Sequence, residues 1–169
     1  MKTTEFGAPG EAIGLQQTLQ NAPPCKRLAT IQMAMYILSF GLTWYLVWWD
    51  SLIGFAVAVW GYYMLLNEYT RPTVKHVEIY HYGSIMSMVS HAIAVSVVIY
   101  YLIQSHLLDT LELSTLTVQI MPRAYYAFLL IYLFIQMAVT TVAIQRSYVL
   151  CAELARNDYY FEHTNKQFD

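Results

Sequence analysis

The chain has 169 residues, of which 57% are hydrophobic and only 12% are charged, roughly half the charged share of a typical soluble domain. This composition predicts a membrane protein. A net charge of -2 without a basic cluster excludes a surface for nucleic-acid phosphates. The two cysteines, far apart in sequence, exclude a disulfide framework and a Cys-x-x-Cys redox motif.

Four apolar runs follow one another along the chain and predict four membrane-spanning helices. The predicted spans are about 28–49, 52–67, 80–104 and 124–145. A flexible polar N-terminal segment, 1–27, precedes the transmembrane domain, 28–148, and a polar tail, 149–169, follows it. We therefore expect an all-α fold, an integral membrane four-helix transmembrane bundle.

The links between the spans carry their own signals. Asp50 and Ser51 follow the first apolar run, and we expect them to form a tight turn and to cap the second helix with their side-chain oxygens. Gly54 and Gly61, seven residues apart, share one face of the second span and predict a close helix contact. The connector 106–122 contains spaced leucines and fits a piece in the headgroup region, helical or extended.

Basic residues predict the orientation of the spans. Eight of the nine Lys and Arg residues fall in the N-terminal segment, the second connector and the tail, whereas Arg123 alone lies at the opposite ends of the spans. Because basic residues accumulate on the cytoplasmic side, we expect the N- and C-termini to be cytoplasmic.

The third span carries the only histidine near the middle of an apolar run, His91, on one face with Ser84 and Ser87. Polar groups at comparable depth on the other spans predict one intramembrane cluster. Its predicted members are Ser39, Ser84, Ser87, His91, Gln136 and Thr140.

Two interpretations of this cluster remain open. His91 either donates a hydrogen bond across a helix contact, or it belongs to a proton-relay, ligand or cofactor site. No charged partner is expected at its depth, which favours the hydrogen-bonding role. His81 and His91 share one helix about 15 Å apart and cannot clamp one iron, so a haem, or a quinone, would have to be shared with a partner subunit.

Other candidate sites are few. His76 and His81 flank Glu78 near a boundary and are expected to be solvated loop histidines, so no metal site is predicted. Cys25 and Cys151 both lie just cytoplasmic of a span and are candidates for palmitoylation. Motifs for nucleophilic or phosphoryl-transfer catalysis are not present in the sequence, and we expect no enzyme activity.

In topology the chain resembles MARVEL-type and related four-span families. The shared features are four helices, cytoplasmic ends, a tight first turn and a short basic second connector after Leu65-Leu66-Asn67-Glu68. The resemblance implies a protein that organises membrane domains or larger complexes, and it assigns no functional residue.

We therefore expect a non-catalytic multi-span membrane subunit or scaffold. Its partners are the lipid bilayer and other integral membrane proteins, or further copies of itself. One alternative is a redox or proton-handling subunit of a respiratory-type complex that uses His91 with a ligand or quinone from a neighbouring subunit. Another is an oligomeric transporter or channel lined by the face of Ser84, Ser87 and His91.

Overall fold

The structure, a computed structural model, describes residues 20–65, 72–110 and 123–165, with side chains as far as 105 and 156 in the last two ranges. These residues form four helices and no strand, which confirms the all-α prediction. The helices are α1 (Ala22–Thr43), α2 (Trp48–Met64), α3 (Val74–Thr110) and α4 (Arg123–Asn165). The predicted N-terminal segment is already helical from Ala22, and α4 continues well into the predicted tail.

The turn between α1 and α2 is not where the sequence predicted it. It occupies residues 44–47, and α2 begins at Trp48, so Asp50 and Ser51 lie inside the helix and are buried. Val47 takes the N-cap position, without a side-chain cap. The prediction was wrong because two small polar residues after an apolar run resemble a turn, whereas here their side chains point into the core.

The four helices form a closed bundle in which each helix packs against two neighbours. α1 contacts α2 and α4, and α3 contacts the same two helices, so α1 and α3 are diagonal to each other. The buried positions on α1 and α4 are spaced alternately by three and four residues, the repeat of left-handed helix packing. The same repeat is present on α2 and α3, each of which has one additional buried neighbour, at 50/51 and 90/91. α4 shows this pattern over its described side chains, namely Tyr126, Leu129, Leu133, Gln136, Thr140, Ala143, Ser147, Leu150 and Leu154.

Two apolar clusters close the bundle at opposite ends. The first end cluster lies at the beginning of α1 and packs Cys25 and Val77 against Leu150 and Leu154. The second end cluster lies near the α1–α2 turn and consists of Val47, Ala94, Val98, Tyr126, Leu129 and Leu133. The buried polar side chains therefore lie between two apolar layers.

Glycines allow aromatic rings to lie directly on α2. A Cβ atom built on Gly54 would overlap the ring of Tyr36 from α1, and one built on Gly61 would overlap the ring of Tyr80 from α3. The close contact predicted for these two glycines is therefore made with tyrosine rings.

Two of the helices are long and apolar enough to cross a membrane, within the stretches Val74–Ser105 and Arg123–Arg156. Most of each stretch lies outside the core of the bundle. α1 and α2 do not meet the same criterion of length and hydropathy, so by this measure two of the four predicted spans are supported. The connector predicted at 106–122 is helical as far as Thr110, and the rest of it lies outside the described residues.

Candidate functional site

A histidine–aspartate pair lies at the centre of the buried polar region. His91 Nδ1 is 2.7 Å and 2.9 Å from the two carboxylate oxygens of Asp50, and both side chains are at most 1% exposed. Ser90, beside His91 on α3, also donates a hydrogen bond to the carboxylate. Asp50 lies in the first turn of α2, where the helix dipole favours a negative charge. The pair thus joins α2 to α3 through an acid and a base.

The opposite nitrogen of the imidazole faces hydroxyl groups. His91 Nε2 is 3.0 Å from the hydroxyl of Tyr36, which lies in turn 3.1 Å from Ser87 Oγ and 3.2 Å from Thr140 Oγ1. The Tyr36 and His91 rings stack with centroids 5.7 Å apart. Tyr36 therefore connects the diagonal helices α1 and α3 and also reaches α4. We call Tyr36, Asp50, Ser87, Ser90, His91 and Thr140 the histidine network.

A second group of hydrogen bonds lies between α1, α2 and α4. Ser51 donates to Ser39 Oγ at 2.9 Å and lies 3.0 Å from Thr43 Oγ1, which bonds the Ser39 carbonyl at 2.8 Å. Ser39 Oγ also makes a long 3.4 Å bond to Gln136 Oε1. The amide nitrogen of Gln136 has no hydrogen-bond partner among the described residues. This serine group is therefore satisfied except at one amide.

Five of the six residues predicted to form one polar cluster do take part in hydrogen bonds between helices, but they belong to two separate groups. His91, Ser87 and Thr140 belong to the histidine network, and Ser39 and Gln136 belong to the serine group. The sixth, Ser84, is buried but donates to the carbonyl of Tyr80 on its own helix at 2.8 Å.

Sequence analysis missed Asp50, Tyr36, Ser90, Thr43 and Ser51. The expectation that His91 lacks a charged partner at its depth was wrong, because Asp50 lies in α2 and not in a surface turn. One signal could have placed it correctly. Counting back from Gly61 and Gly54 at steps of three and four residues reaches 50 and 51 on the same helix face.

The contacts of His91 argue against a metal or haem on this residue. Both ring nitrogens are hydrogen-bonded to side chains of the same chain, so neither is free to face a neighbouring subunit. His76 and His81 are engaged as well, with Thr73 and Ser147 respectively. In the part of the chain that the structure describes, no three His, Cys, Asp or Glu residues come close enough to hold a metal ion.

A carboxylate, an imidazole and a hydroxyl connected by hydrogen bonds are also the catalytic groups of many nucleophilic hydrolases. Here Asp50, His91 and the hydroxyls of Tyr36, Ser87 and Thr140 are each no more than 2% exposed. A substrate therefore has no access to these hydroxyls in this conformation. The hydrogen bonds of one imidazole therefore link all four helices.

The two cysteines lie at the first end cluster. Cys25 is buried there, and burial raises the pKa of its thiol to about 11. Cys151 is half-buried beside it, and burial raises its pKa too, with a further contribution from the charge of Glu78. Acylation needs an accessible thiolate, so Cys151 is the better candidate for palmitoylation in this conformation.

We expect thiol reagents to distinguish these cysteines. At pH 9, a thiol with a pKa of about 11 is only about 1% thiolate, whereas one with the ordinary value of 9.0 is half ionised. Alkylation of Cys25 in a Cys151→Ser variant should therefore be slow and should rise about tenfold per pH unit up to about pH 11. Mass spectrometry measures this rate and compares it with the alkylation rate of Cys151 in the Cys25→Ser variant. Equal rates in the folded protein would contradict this assignment.

We expect the amide of Gln136 to cost stability. A buried donor without an acceptor costs about 1 to 3 kcal/mol, while the 3.4 Å bond to Ser39 recovers little. Gln136→Met retains the length of the side chain and should raise the free energy of unfolding by about 1 kcal/mol. Denaturation of the detergent-solubilised protein measures the change, and a clear loss of stability would show that the amide has a partner in solution.

Comparison with known proteins gives no family for this chain. No protein-family model matches it, and neither a curated protein nor a solved structure is significantly similar to it.

Proposed function

We propose that this chain is a four-span integral membrane protein with both termini in the cytoplasm, and that it acts as a non-catalytic subunit or scaffold of a larger membrane complex. The observation that supports it best is the reversed distribution of polarity. Large apolar side chains are exposed on all four helices, whereas Asp50, His91, Gln136 and many hydroxyls are buried. In water such a surface would aggregate, but in lipid it is the favoured arrangement.

The lengths of α1 and α2 are compatible with this proposal although their hydropathy alone does not select them. α1 has 22 residues and α2 has 17, which correspond to about 33 Å and about 26 Å at helical rise. A bilayer core is about 30 Å thick. The polar residues that lower the hydropathy of these helices, such as Gln32 and Asp50, face inward. The helices therefore present an apolar exterior despite a polar face.

Charge and aromatic residues support the orientation. Lys26, Arg146 and Arg156 lie at the end of the bundle where α1 begins, and Arg123 lies at the other end. At that other end, the exposed residues Trp44, Tyr45 and Trp48 surround the α1–α2 turn, as expected for a membrane–water interface.

The apolar exterior of the described helices supports a role in assembly. The hydrogen bonds of the histidine network join only its own helices, and the exterior offers apolar and aromatic side chains such as Tyr82, Met86 and Phe128. A surface of this kind contacts lipid and other membrane helices, which agrees with the organising role implied by the four-span resemblance. Partners of this kind would be integral membrane proteins or further copies of the chain.

Two experiments test the proposal. Alkaline extraction of membranes and reporter tags on each terminus should show an integral protein with both ends on the cytoplasmic side. The native chain, purified in mild detergent, should then form a particle clearly larger than its own 19.5 kDa plus the detergent belt. Substituting the exposed Tyr82 and Met86 with alanine should reduce this assembly, whereas Ser84→Ala, at a buried position of α3, should not. A strictly monomeric native particle would contradict the scaffold role.

One observation favours a second candidate, a proton-handling subunit. Asp50 and His91 form a buried pair of ionisable groups, and such groups inside a membrane are commonly functional. If this role is correct, His91→Asn should abolish the activity of the parent complex even in the fraction of the variant that folds and assembles. Unchanged turnover would exclude the proton-handling role, and the scaffold role would be the remaining candidate.

A further inference from the structure

The hydroxyls around His91 Nε2 can satisfy this nitrogen in two ways. Tyr36 Oη lies within hydrogen-bond distance of Nε2, Ser87 Oγ and Thr140 Oγ1. A phenol has one proton to donate and two lone pairs to accept. With three partners around it, the Tyr36 hydroxyl can therefore act as donor to the imidazole or as acceptor from it.

In the first state, Nε2 is unprotonated. The Tyr36 hydroxyl then donates to Nε2 and accepts from Ser87 and Thr140, while Nδ1–H donates to the carboxylate of Asp50. In the second state, Nε2 carries a proton and its N–H group donates a hydrogen bond to Tyr36 Oη. Tyr36 then turns its own proton toward Ser87 or Thr140, and accepts from the other. The heavy atoms keep their positions in both states, because only hydroxyl groups rotate.

Asp50 supplies the charge that the second state needs. An imidazolium buried without a counter-ion would be strongly unfavourable, but Nδ1 lies 2.7 Å from a carboxylate held by Ser90 and by the N-terminus of α2. In that state the pair is neutral overall. We propose that Asp50 and His91 form an occluded proton-binding site, in which His91 Nε2 takes up the proton and Tyr36 accepts its hydrogen bond.

The other groups packed around His91 do not compete for this role. α1 contributes the phenol of Tyr36, α2 contributes Asp50, and α4 contributes the neutral side chain of Thr140. On α3 itself the neighbours are serines. Two further ionisable groups near Tyr36 are the phenols of Tyr80 and Tyr132, which donate to Gln32 and to the carbonyl of Met35, respectively. The two apolar end clusters separate the site from both ends of the bundle.

This inference rests on the proton-handling candidate and deepens it by naming the atoms that bind the proton, and it does not depend on the scaffold role. Nitrogen NMR on the full chain, labelled at histidine and held in lipid nanodiscs, reads the protonation of both ring nitrogens directly. The His91→Gln variant assigns the signals. As the pH falls, we expect both His91 nitrogens to move to the values of an imidazolium while the helix content by circular dichroism stays constant.

Variants separate a proton-binding site from a structural histidine. Asp50→Asn keeps the hydrogen-bond acceptor but removes the charge, and it should lower the proton affinity of His91 by about tenfold or more. Ser84→Ala, another buried serine of α3 that bonds only its own helix, should leave this affinity unchanged.

Two outcomes would overturn the proposal. One is a single protonation state of His91 at every pH at which the wild-type chain stays folded, which decides the matter even if Asp50→Asn fails to fold. The other is an equal change of proton affinity in Asp50→Asn and in Ser84→Ala.

Discussion

Replacing His91 with leucine is expected to lower the free energy of unfolding by about 3 to 5 kcal/mol, because it leaves the buried carboxylate of Asp50 without its basic partner. Asp50→Leu should cost less, about 1 to 3 kcal/mol, since the remaining imidazole can stay neutral and keep its bond to Tyr36. Loss of helical signal on titration of the solubilised protein with a denaturing detergent measures both values.

The double variant provides the control for this prediction. Asp50→Leu together with His91→Leu removes both the carboxylate and the imidazole and replaces them with apolar side chains of similar size. Pairs replaced in this way often retain or gain stability, so the double variant should be more stable than His91→Leu alone. If the effects of the two substitutions instead add, the two residues do not interact, and the contact between His91 and Asp50 at the centre of the bundle would be wrong.

How far the sequence predicts this fold depends on which signal is used. Apolar runs predicted four helices, and the structure has four in its described residues. Helix ends were less accurate. Run length alone extended the first helix to Trp49, whereas α1 ends at Thr43 and a four-residue turn follows. Hydropathy does not identify this turn, because residues 44–47 are as apolar as the helices on both sides of it.

Only some residues of the buried site could be predicted, because the rest depend on where the helices begin and how they pack. Helical spacing places Ser87 and His91 on one face, and depth counting brings Ser39 and Gln136 level with them. Asp50 could be placed in the buried site only if the first residue of α2 was known. Tyr36 was overlooked because tyrosines in apolar spans are expected near the interface, whereas this one reaches the bundle axis. It can do so only because Gly54 leaves room for its ring.

The buried hydrogen bonds explain how each helix selects its neighbours in the bundle. Apolar side chains do not select one neighbour over another in lipid, since lipid tails are equally apolar. Hydrogen bonds do select, because a buried polar group without its partner is costly. Tyr36 requires a glycine on α2, an imidazole on α3 and a hydroxyl on α4. One side chain of α1 therefore specifies the position of all three other helices.

Gly54→Ala is accordingly expected to cost about 2 to 4 kcal/mol, although it adds a single methyl group. That methyl would overlap the Tyr36 ring, so the ring must move and its hydroxyl must leave His91, Ser87 or Thr140. The same denaturation assay measures the loss. Nitrogen NMR of His91 should change at the same time, because the imidazole loses a hydrogen-bond partner.

Gly41 offers a matched control for this substitution. It lies on an exposed face of α1, where an added Cβ atom meets nothing within 4 Å. Gly41→Ala should therefore leave stability unchanged or raise it by up to about 1 kcal/mol, as expected from helix propensity alone. Tyr36→Leu supplies the complementary test, because a shorter side chain relieves the overlap and Gly54→Ala should then cost much less. If Gly54→Ala is as harmless as Gly41→Ala in the wild-type chain, the Tyr36 ring does not lie on α2, and the route by which α1 reaches His91 would have to be different.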